Sequence, residues 1–385
     1  MKIMMLTDYF YPHIGGGVEK VVYEISKLLV KFGCDVSIVT FNTMKAKEFE
    51  FLDGLKIYRI KPINLTRALG VQLTISPSVP FKILNICKKE NPDIIHANNR
   101  FFFTTICAVA LKNILGKPLI TTLHLGPMTF GKGWFNFFIK AYEQTISKWI
   151  IKKSNYIIAV SNVVKELALS LGSSSEKITV IRNGVDINEF KIKNHNVENL
   201  KQNIEKRIVF VGRLIQNKGV KYLIEAAPTV LSKYQNAKFI IVGDGPMKKE
   251  LKIIAKREGV QNAFQFLGFV PSVADVLNQC DIFVRPSLTE GMPLTVLEAM
   301  SCGLPVVATK VAGTPEIVIN DETGILIEPG NNKELANSLI HLLDDYEFSK
   351  RLRNNARLFV EKYYSWEKTA NLTYDIYRKI LNSNH

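Results

Sequence analysis

The strongest constraint on this chain is a repeated alternation of short apolar runs with amphipathic helical stretches, and the pattern occurs twice. In the first half the apolar runs fall at 2–7, 35–40, 55–60, 94–97, 119–123, 156–160 and 178–181. Helical spacing lies between most of them. In 18–32, Val18, Val21, Val22, Ile25, Leu28 and Leu29 recur three and four apart, and Gly33 follows as a helix-ending residue. Strands separated by covering helices pair in parallel, because each crossover returns the chain in the same direction. A second series runs through 208–211, 239–242, 264–269, 282–285, 305–308 and 324–327. Continuous apolar runs suit strands buried on both faces, as in a doubly wound sheet. The 385 residues suffice for two such cores. We therefore expect an α/β chain of two doubly wound, Rossmann-like domains, at 1–185 and 206–365. A polar linker at 186–205 follows the turn signal Asn183-Gly184, and a terminal helical segment occupies 366–385. Two such domains place a cleft between them, lined by strand C-terminal ends.

Composition narrows the compartment and the partners. An apolar fraction of 47% and a charged fraction of 22% exclude a disordered or collagen-like chain. The five cysteines, Cys34, Cys87, Cys107, Cys280 and Cys302, are scattered and never two or four apart. That argues against a disulfide framework or a cysteine zinc site and for a reducing, cytoplasmic setting. The run 2–7 is too short for a secretory signal, and no stretch is long and apolar enough for a membrane span. Of the net charge of +15, residues 1–185 carry +12, with 24 Lys+Arg against 12 Asp+Glu. A basic half fits either an anionic partner or a lysine-rich composition without further meaning.

The motifs concentrate at strand ends. Glu290-Gly-Met-Pro-Leu-Thr-Val-Leu-Glu298 follows the run 282–285. Pro293 suits a helix start, which leaves the amides of Met292, Leu294 and Thr295 aimed at an anion. Glu290 before that end and Glu298 inside it can reach hydroxyls on either side of a bound phosphate, so the expected ligand is a nucleotide-sugar. Glu298 stands in an otherwise apolar segment, which argues against two merely solvated glutamates. In Gly212-Arg213-Leu-Ile-Gln-Asn-Lys218-Gly219, Arg213 can fork onto phosphate oxygens and Lys218 adds a point charge. Gly15-Gly16-Gly17 opens a helix and can cradle phosphate, although the dinucleotide fingerprint fails at Lys20 and no P-loop motif occurs. His124 follows the strand run 119–123; His96 reads as structural and His13 is ambiguous. Phe269 is open between facing a base and core packing. No histidine pair or Asp-x-Asp is present to hold a metal.

Taken in order, the Gly15–Gly17 loop, Thr121-Thr-Leu-His124, Ile158-Ala-Val-Ser161, Ile181-Arg-Asn-Gly-Val-Asp186, Val211-Gly-Arg-Leu214 with Lys218-Gly219, Val242-Gly-Asp-Gly-Pro246 and the stretch 285–313 with Glu290 and Glu298 resemble the GT-B glycosyltransferases, specifically glycosyltransferase family 4. The resemblance implies a retaining hexosyl transfer from a UDP- or GDP-sugar co-substrate, with no metal and no other cofactor. It implies an acceptor-side domain at 1–185, a nucleotide-sugar-binding domain at 206–365, and a last helix that crosses back to the first domain. It further implies that Glu290 binds donor sugar hydroxyls and Glu298 the ribose. Arg213 and Lys218 would hold the diphosphate, Gly16 and Gly17 would close on the donor, and His124 would touch the transferred sugar. His124, Arg213, Lys218 and Glu290 are then the catalytic candidates, and Phe269, Met292, Leu294 and Thr295 join the donor-binding set.

Rival classes fit less well. A GT-B nucleotide-sugar epimerase needs a further acid/base set that is not evident, and a non-catalytic binding module is expected to lose Arg213, Lys218 or Glu290. For the acceptor, a glycan or a lipid-linked glycan is expected, and no nucleic acid. The stretch 132–153 carries a stripe of Trp134, Phe137, Phe138, Ala141, Tyr142, Thr145 and Trp149 flanked by lysines. Packing of this stripe on the sheet is the first expectation. Phe101, Phe102 and Phe103, at a strand end, are the stronger candidates for exposure. With the basic half they point to a peripheral protein at the inner face of an anionic membrane.

Overall fold

The structure is a computed structural model that describes residues 1–13, 16–64, 74–127, 134–193 and 205–383, apart from the side chains of Asn64 and 134–136. The chain divides into two compact units. Unit 1 comprises Met1–Asn183 with Trp366–His385, and unit 2 comprises Gly184–Ser365.

Unit 1 carries β1 (Lys2–Leu6), β2 (Asp35–Phe41), β3 (Phe49–Leu52), β4 (Leu55–Ile60), a two-stranded ribbon of β5 (Ile63–Asn64) and β6 (Thr74–Ile75), and then β7 (Ile94–Asn98), β8 (Leu119–Leu123), β9 (Tyr156–Ala159) and β10 (Ile178–Val180). Its main sheet has the order β10-β9-β8-β7-β1-β2-β4-β3, parallel except where β3 turns back on β4. The reversal was not anticipated, although Asp53-Gly54 between two short runs is a hairpin signal. Strand β3 is a four-residue edge with its side chains mostly exposed, although Phe49, Phe51 and Leu52 are apolar.

The helix Gly17–Lys31 buries Val21, Val22, Leu28 and Leu29, as their spacing requires, and stops at Gly33, where φ is +82°. The last helix, Trp366–Asn382, belongs to unit 1 and packs against it. Its Tyr377 is fully buried, and the hydroxyl meets His96 Nδ1 at 2.5 Å. The other ring nitrogen of His96 meets Thr122 Oγ1 at 2.6 Å, so His96 ties β7, β8 and the last helix together.

Unit 2 is built on β11 (Arg207–Val211), β12 (Lys238–Val242), β13 (Phe264–Gly268), β14 (Ile282–Arg285), β15 (Val306–Thr309) and β16 (Ile325–Ile327). The order is β13-β12-β11-β14-β15-β16, with every pair parallel. The central strands are buried on both faces, while the edge strand β13 exposes Gln265 and Leu267, and Phe239 stacks on Phe264 with ring centroids 4.7 Å apart inside the core. Strand order reverses between β11 and β14, and ligands of open α/β sheets bind outside the strand ends at that point.

Part of the expected linker is not a linker. Residues 186–193 pack on unit 2 through buried Phe190, whose carbonyl accepts from Ser301 Oγ (2.8 Å) and Arg357 Nη1 (2.9 Å). The remainder, 194–204, lies outside the described residues, as do Gly15 and the first residues of the 132–153 stretch.

Candidate active site

In unit 2 the ends of β11 and β14 bring together the residues singled out from the sequence. After β11 the chain runs through Gly212 and Arg213 into a single turn, Gln216–Lys218, and then Gly219. Gly219 has φ of +68°, and a Cβ there would lie 1.8 Å from the Pro286 carbonyl oxygen. Only glycine lets the two loops lie this close. The Leu288 amide, donating to Asn217 O at 2.8 Å, locks them together.

This closure delivers Lys218 to Glu290, which is 5% exposed. Lys218 Nζ lies 2.9 Å from both carboxylate oxygens. Arg285 ends β14 and donates through Nε to Glu290 Oε1 at 2.8 Å, with Nη2 at 2.7 Å from the same oxygen. Ser287 Oγ adds a 2.7 Å bond to Oε1. Burial alone raises the Glu290 carboxyl, but Arg285 and Lys218 outweigh it and hold the group at about 2. Burial also lowers the Lys218 ammonium; the Glu290 carboxylate opposes this, while Arg285 and Arg213 push the same way.

The helix Leu294–Ser301 starts beside this cluster, with Pro293 at its N-cap rather than inside its first turn. The first amides of a helix have no intrahelical acceptor, so Leu294 and Thr295 present N–H groups at this end. Thr295 Oγ1 is buried there without a hydrogen-bond partner among the described residues. Such an orphan costs about 1–3 kcal/mol unless a ligand or water satisfies it. Met292 and Glu298 are buried on the same segment. The far end of the helix is clasped by cations, with Arg353 Nε on Gly303 O at 2.7 Å and Arg357 Nη1 on Ser301 O. That placement suits the negative end of the helix dipole. Phe269, just past β13, is 63% exposed, which removes core packing as its role.

Unit 1 holds His124 and Gly16–Gly17. His124 is buried at the end of β8, and its Nε2 lies 3.1 Å from Asn98 Oδ1. Asn98 Nδ2 donates to Leu6 O at 3.2 Å, so its oxygen faces the imidazole. The ring then donates from Nε2 and keeps Nδ1 as an acceptor. Burial lowers its pKa to about 3, so it is a neutral imidazole at pH 7. Gly16 caps the helix Gly17–Lys31, and a Cβ on it would meet Glu19 Oε2 at 2.9 Å.

Sequence reasoning missed Arg285, Ser287 and Asn98. The available signal for Arg285 was a lone cation closing an apolar strand directly before the motif of Glu290. A second missed group is Arg100, which is fully buried. It pairs with Glu143 at 2.6 Å and donates to the carbonyls of Leu125 (2.5 Å) and Gly126 (2.9 Å), fixing the segment after His124. Glu143 lies in a π-helical turn, Glu143–Ser147, in the middle of the aromatic stretch.

The aromatic expectations reverse. Phe101 stacks on Tyr142 at 5.1 Å, Phe102 meets Tyr9 edge-on at 5.7 Å, and Phe103 packs on the core, so all three are half-buried. Most of the described stripe instead faces outward, with Phe137 71% and Phe138 57% exposed and Ala141, Thr145 and Trp149 exposed beside them, while Tyr142 turns in against Phe101.

Comparisons with known proteins follow the same division of the chain. The family model of glycosyl transferases group 1 matches residues 191–359, and that of Glycosyltransferase Family 4 matches residues 15–189. An uncharacterised glycosyltransferase of Methanocaldococcus jannaschii is 31% identical over 98% of each chain. One subunit of the human phosphatidylinositol N-acetylglucosaminyltransferase is 30% identical over 98% of this chain and 76% of its own. Among solved structures, sucrose-phosphate synthase of Thermosynechococcus elongatus superposes with TM-score 0.85 at 20% identity over 99% of both chains. Anabaena HepE, solved in complex with UDP, does so with TM-score 0.79 at 23% identity over 98% of this chain and 100% of its own. These likenesses extend through both units, and the chain belongs to glycosyltransferase family 4, the group 1 glycosyltransferases of GT-B fold.

Proposed function

We propose that the protein transfers a hexose-type sugar from a UDP- or GDP-sugar to a lipid or lipid-linked glycan acceptor, with retention of anomeric configuration and without a metal ion. The observation that carries this reading is the Glu290 carboxylate. One oxygen is crowded by Arg285, Ser287 and Lys218, and among the described residues the other meets Lys218 alone. A carboxylate held this way is ready to accept from a sugar hydroxyl. Arg213, Lys218 and the start of the helix Leu294–Ser301 supply positive charge for a departing diphosphate, the work a metal does elsewhere. The buried, unpartnered hydroxyl of Thr295 fits a phosphate oxygen.

In this reading the bond from the anomeric carbon to the diphosphate oxygen breaks while the acceptor oxygen bonds to the same face of that carbon. The acceptor proton passes to the departing diphosphate, and a nucleoside diphosphate leaves. Glu290 and Glu298 bind hydroxyls rather than attack, which distinguishes the site from the paired carboxylates of retaining hydrolases. Neutral His124 is assigned to the transferred sugar.

A lipid acceptor is supported by the relative that acts on phosphatidylinositol, and by the outward stripe of Phe137, Phe138 and Trp149 beside exposed Lys140, Lys152 and Lys153. Interfacial helices combine such faces with cationic flanks. No described helix is long and apolar enough to cross a membrane. All five cysteines are free and buried, which suits a reducing compartment.

The test is incubation with UDP-glucose, UDP-N-acetylglucosamine or GDP-mannose in EDTA, with and without vesicles containing phosphatidylinositol. Released nucleoside diphosphate and the anomeric configuration of the product are measured. Vesicle-dependent release with retention is expected. No release from any donor, inversion, or dependence on added Mg²⁺ or Mn²⁺ would overturn the corresponding part.

A further inference from the structure

Arg285 is buried more tightly than a surface cation needs to be. Each nitrogen of its fork is engaged: Nε and Nη2 on Glu290 Oε1, and Nη1 on the Val211 carbonyl at 2.7 Å. The guanidinium also lies over the Phe210 ring, 5.4 Å from its centroid. Even Gly212 answers to it, because a Cβ there would stand 2.5 Å from Arg285 Nη1. The absence of a side chain at Gly212 makes room for the guanidinium.

Lys218 has two calls on it. In the structure it spans both oxygens of Glu290. In the reading proposed above, on which this inference rests, it serves the donor diphosphate. If Lys218 were the sole cation beside Glu290, its move to the diphosphate would leave a buried carboxylate uncompensated, at a cost of several kcal/mol or a captured proton. A protonated Glu290 could no longer accept from a sugar hydroxyl at both oxygens.

We propose that Arg285 is a positioning residue that keeps Glu290 ionised and aimed while Lys218 shifts from Glu290 to the diphosphate. Oε1 retains Arg285 and Ser287 throughout, and the departure of Lys218 opens Oε2 toward the sugar. The charged groups facing Glu290 are Lys218 from the loop after β11 and Arg285 from β14, with Arg213 acting on Lys218 from the same loop. Arg285 thus separates two tasks, neutralising the acid and binding the leaving group, that Lys218 cannot perform at once.

The experiment follows the carboxyl ¹³C signal of Glu290, assigned with Glu290→Gln, against pH in the full chain with and without UDP. In the wild type the signal stays ionised down to the acid limit of the fold in both states. In Arg285→Gln it titrates higher, modestly without UDP and above about pH 5 with UDP, because burial then acts on an unpaired acid. Arg285→Lys keeps a charge, so its titration stays near wild type, whereas loss of the fork lowers kcat about tenfold with the donor KM little changed. A wild-type titration of Arg285→Gln in both states overturns the proposal. Should that variant not fold, wild-type kcat in Arg285→Lys overturns it. Failure of the wild type to bind UDP counts against the donor reading alone, since the UDP-free titration still decides the role of Arg285.

Discussion

The two units hold their buried polar groups in opposite ways. In unit 2, Lys218, Arg285 and Glu290 form one charged knot where β11 and β14 end, with Arg213 on the same loop as Lys218. In unit 1, the polar side chains in β7 and just past β8 are neutral: His124 against Asn98, and His96 between Thr122 and Tyr377. The strong cation there, Arg100, is spent on Glu143 and two carbonyls. The difference shows what each sheet end can meet. A charged knot is worth its desolvation cost where a charged ligand arrives, whereas neutral donors and acceptors suit hydroxyl groups and impose little electrostatic bias.

The largest effect expected is at the knot. Lys218→Ala or Arg213→Ala should cost about 3 kcal/mol of transition-state stabilisation, roughly a 150-fold loss in kcat/KM, through lost charged hydrogen bonds. Steady-state turnover of the nucleotide-sugar decides this, and near-wild-type rates in either variant would break the contrast. His124→Asn, which replaces one neutral group by another, should lose less than Lys218→Ala in the same assay.

Acid should separate the units next. His96 and His124 are held neutral by burial, with pKa values near 3 against 6.5 when unfolded. The unfolded chain therefore binds two more protons below 6.5, and stability falls as pH falls. Asp8 has the opposite sign: burial raises it from 3.8 to about 7, so folding takes up one proton in that window. One net proton remains, which gives unit 1 a loss of about 1.4 kcal/mol per pH unit between roughly pH 6.5 and 4. Glu290 is depressed from 4.5 to about 2, so its contribution to unit 2 is complete above 4.5 and is lost only below it. Hydrogen exchange followed by mass spectrometry at pH 7, 6 and 5 should show unit 1 loosening first. Equal loosening would remove the histidines as its cause.

A smaller change sharpens the role of the last helix. Tyr377→Phe leaves a buried imidazole nitrogen without its partner and should destabilise unit 1 by about 1–3 kcal/mol. Exchange in unit 2 should not change. The smallest effect on stability, within about 0.5 kcal/mol, is expected for Phe137→Ser with Phe138→Ser, because both side chains are already exposed. Sedimentation with anionic vesicles at low salt should nevertheless fall sharply in that variant. Binding equal to wild type would detach the stripe from any membrane role.

Most of the fold was legible because it rests on period and run length. Every parallel strand of both sheets coincides with an apolar run to within a residue or so, whereas β3 is an antiparallel edge of four residues that leaves Phe49, Phe51 and Leu52 exposed. In unit 2 the residues that matter sit in two short stretches, so Lys218 and Glu290 could be assigned to one site by reasoning about strand ends, although their direct contact could not. Arg285 escaped because its partners, Val211 and Phe210, come from a strand some 75 residues earlier, and only the sheet order makes them neighbours. The stripe at 134–149 was misjudged for a related reason. A helix buries one face, but periodicity does not say which when both faces carry apolar residues. Here Glu143 and Ser147 turn inward with Ile150, anchored by Arg100, and Phe137, Phe138 and Trp149 are left outside.

The return of Trp366–Asn382 to unit 1 also sets an order of events during translation. The strand β1 is made before unit 2, yet its unit lacks a helix until all of Gly184–Ser365 has been synthesised. At about 5–20 residues per second that interval is roughly 10–40 s. Meanwhile His96 has no Tyr377, and the helix Gly17–Lys31 lacks the neighbour it packs against. Unit 2 is continuous in sequence and can close as soon as it emerges. Of the two units, the one that begins first is therefore completed last, and a ribosome that stops before Trp366 leaves a finished unit 2 attached to an unfinished unit 1.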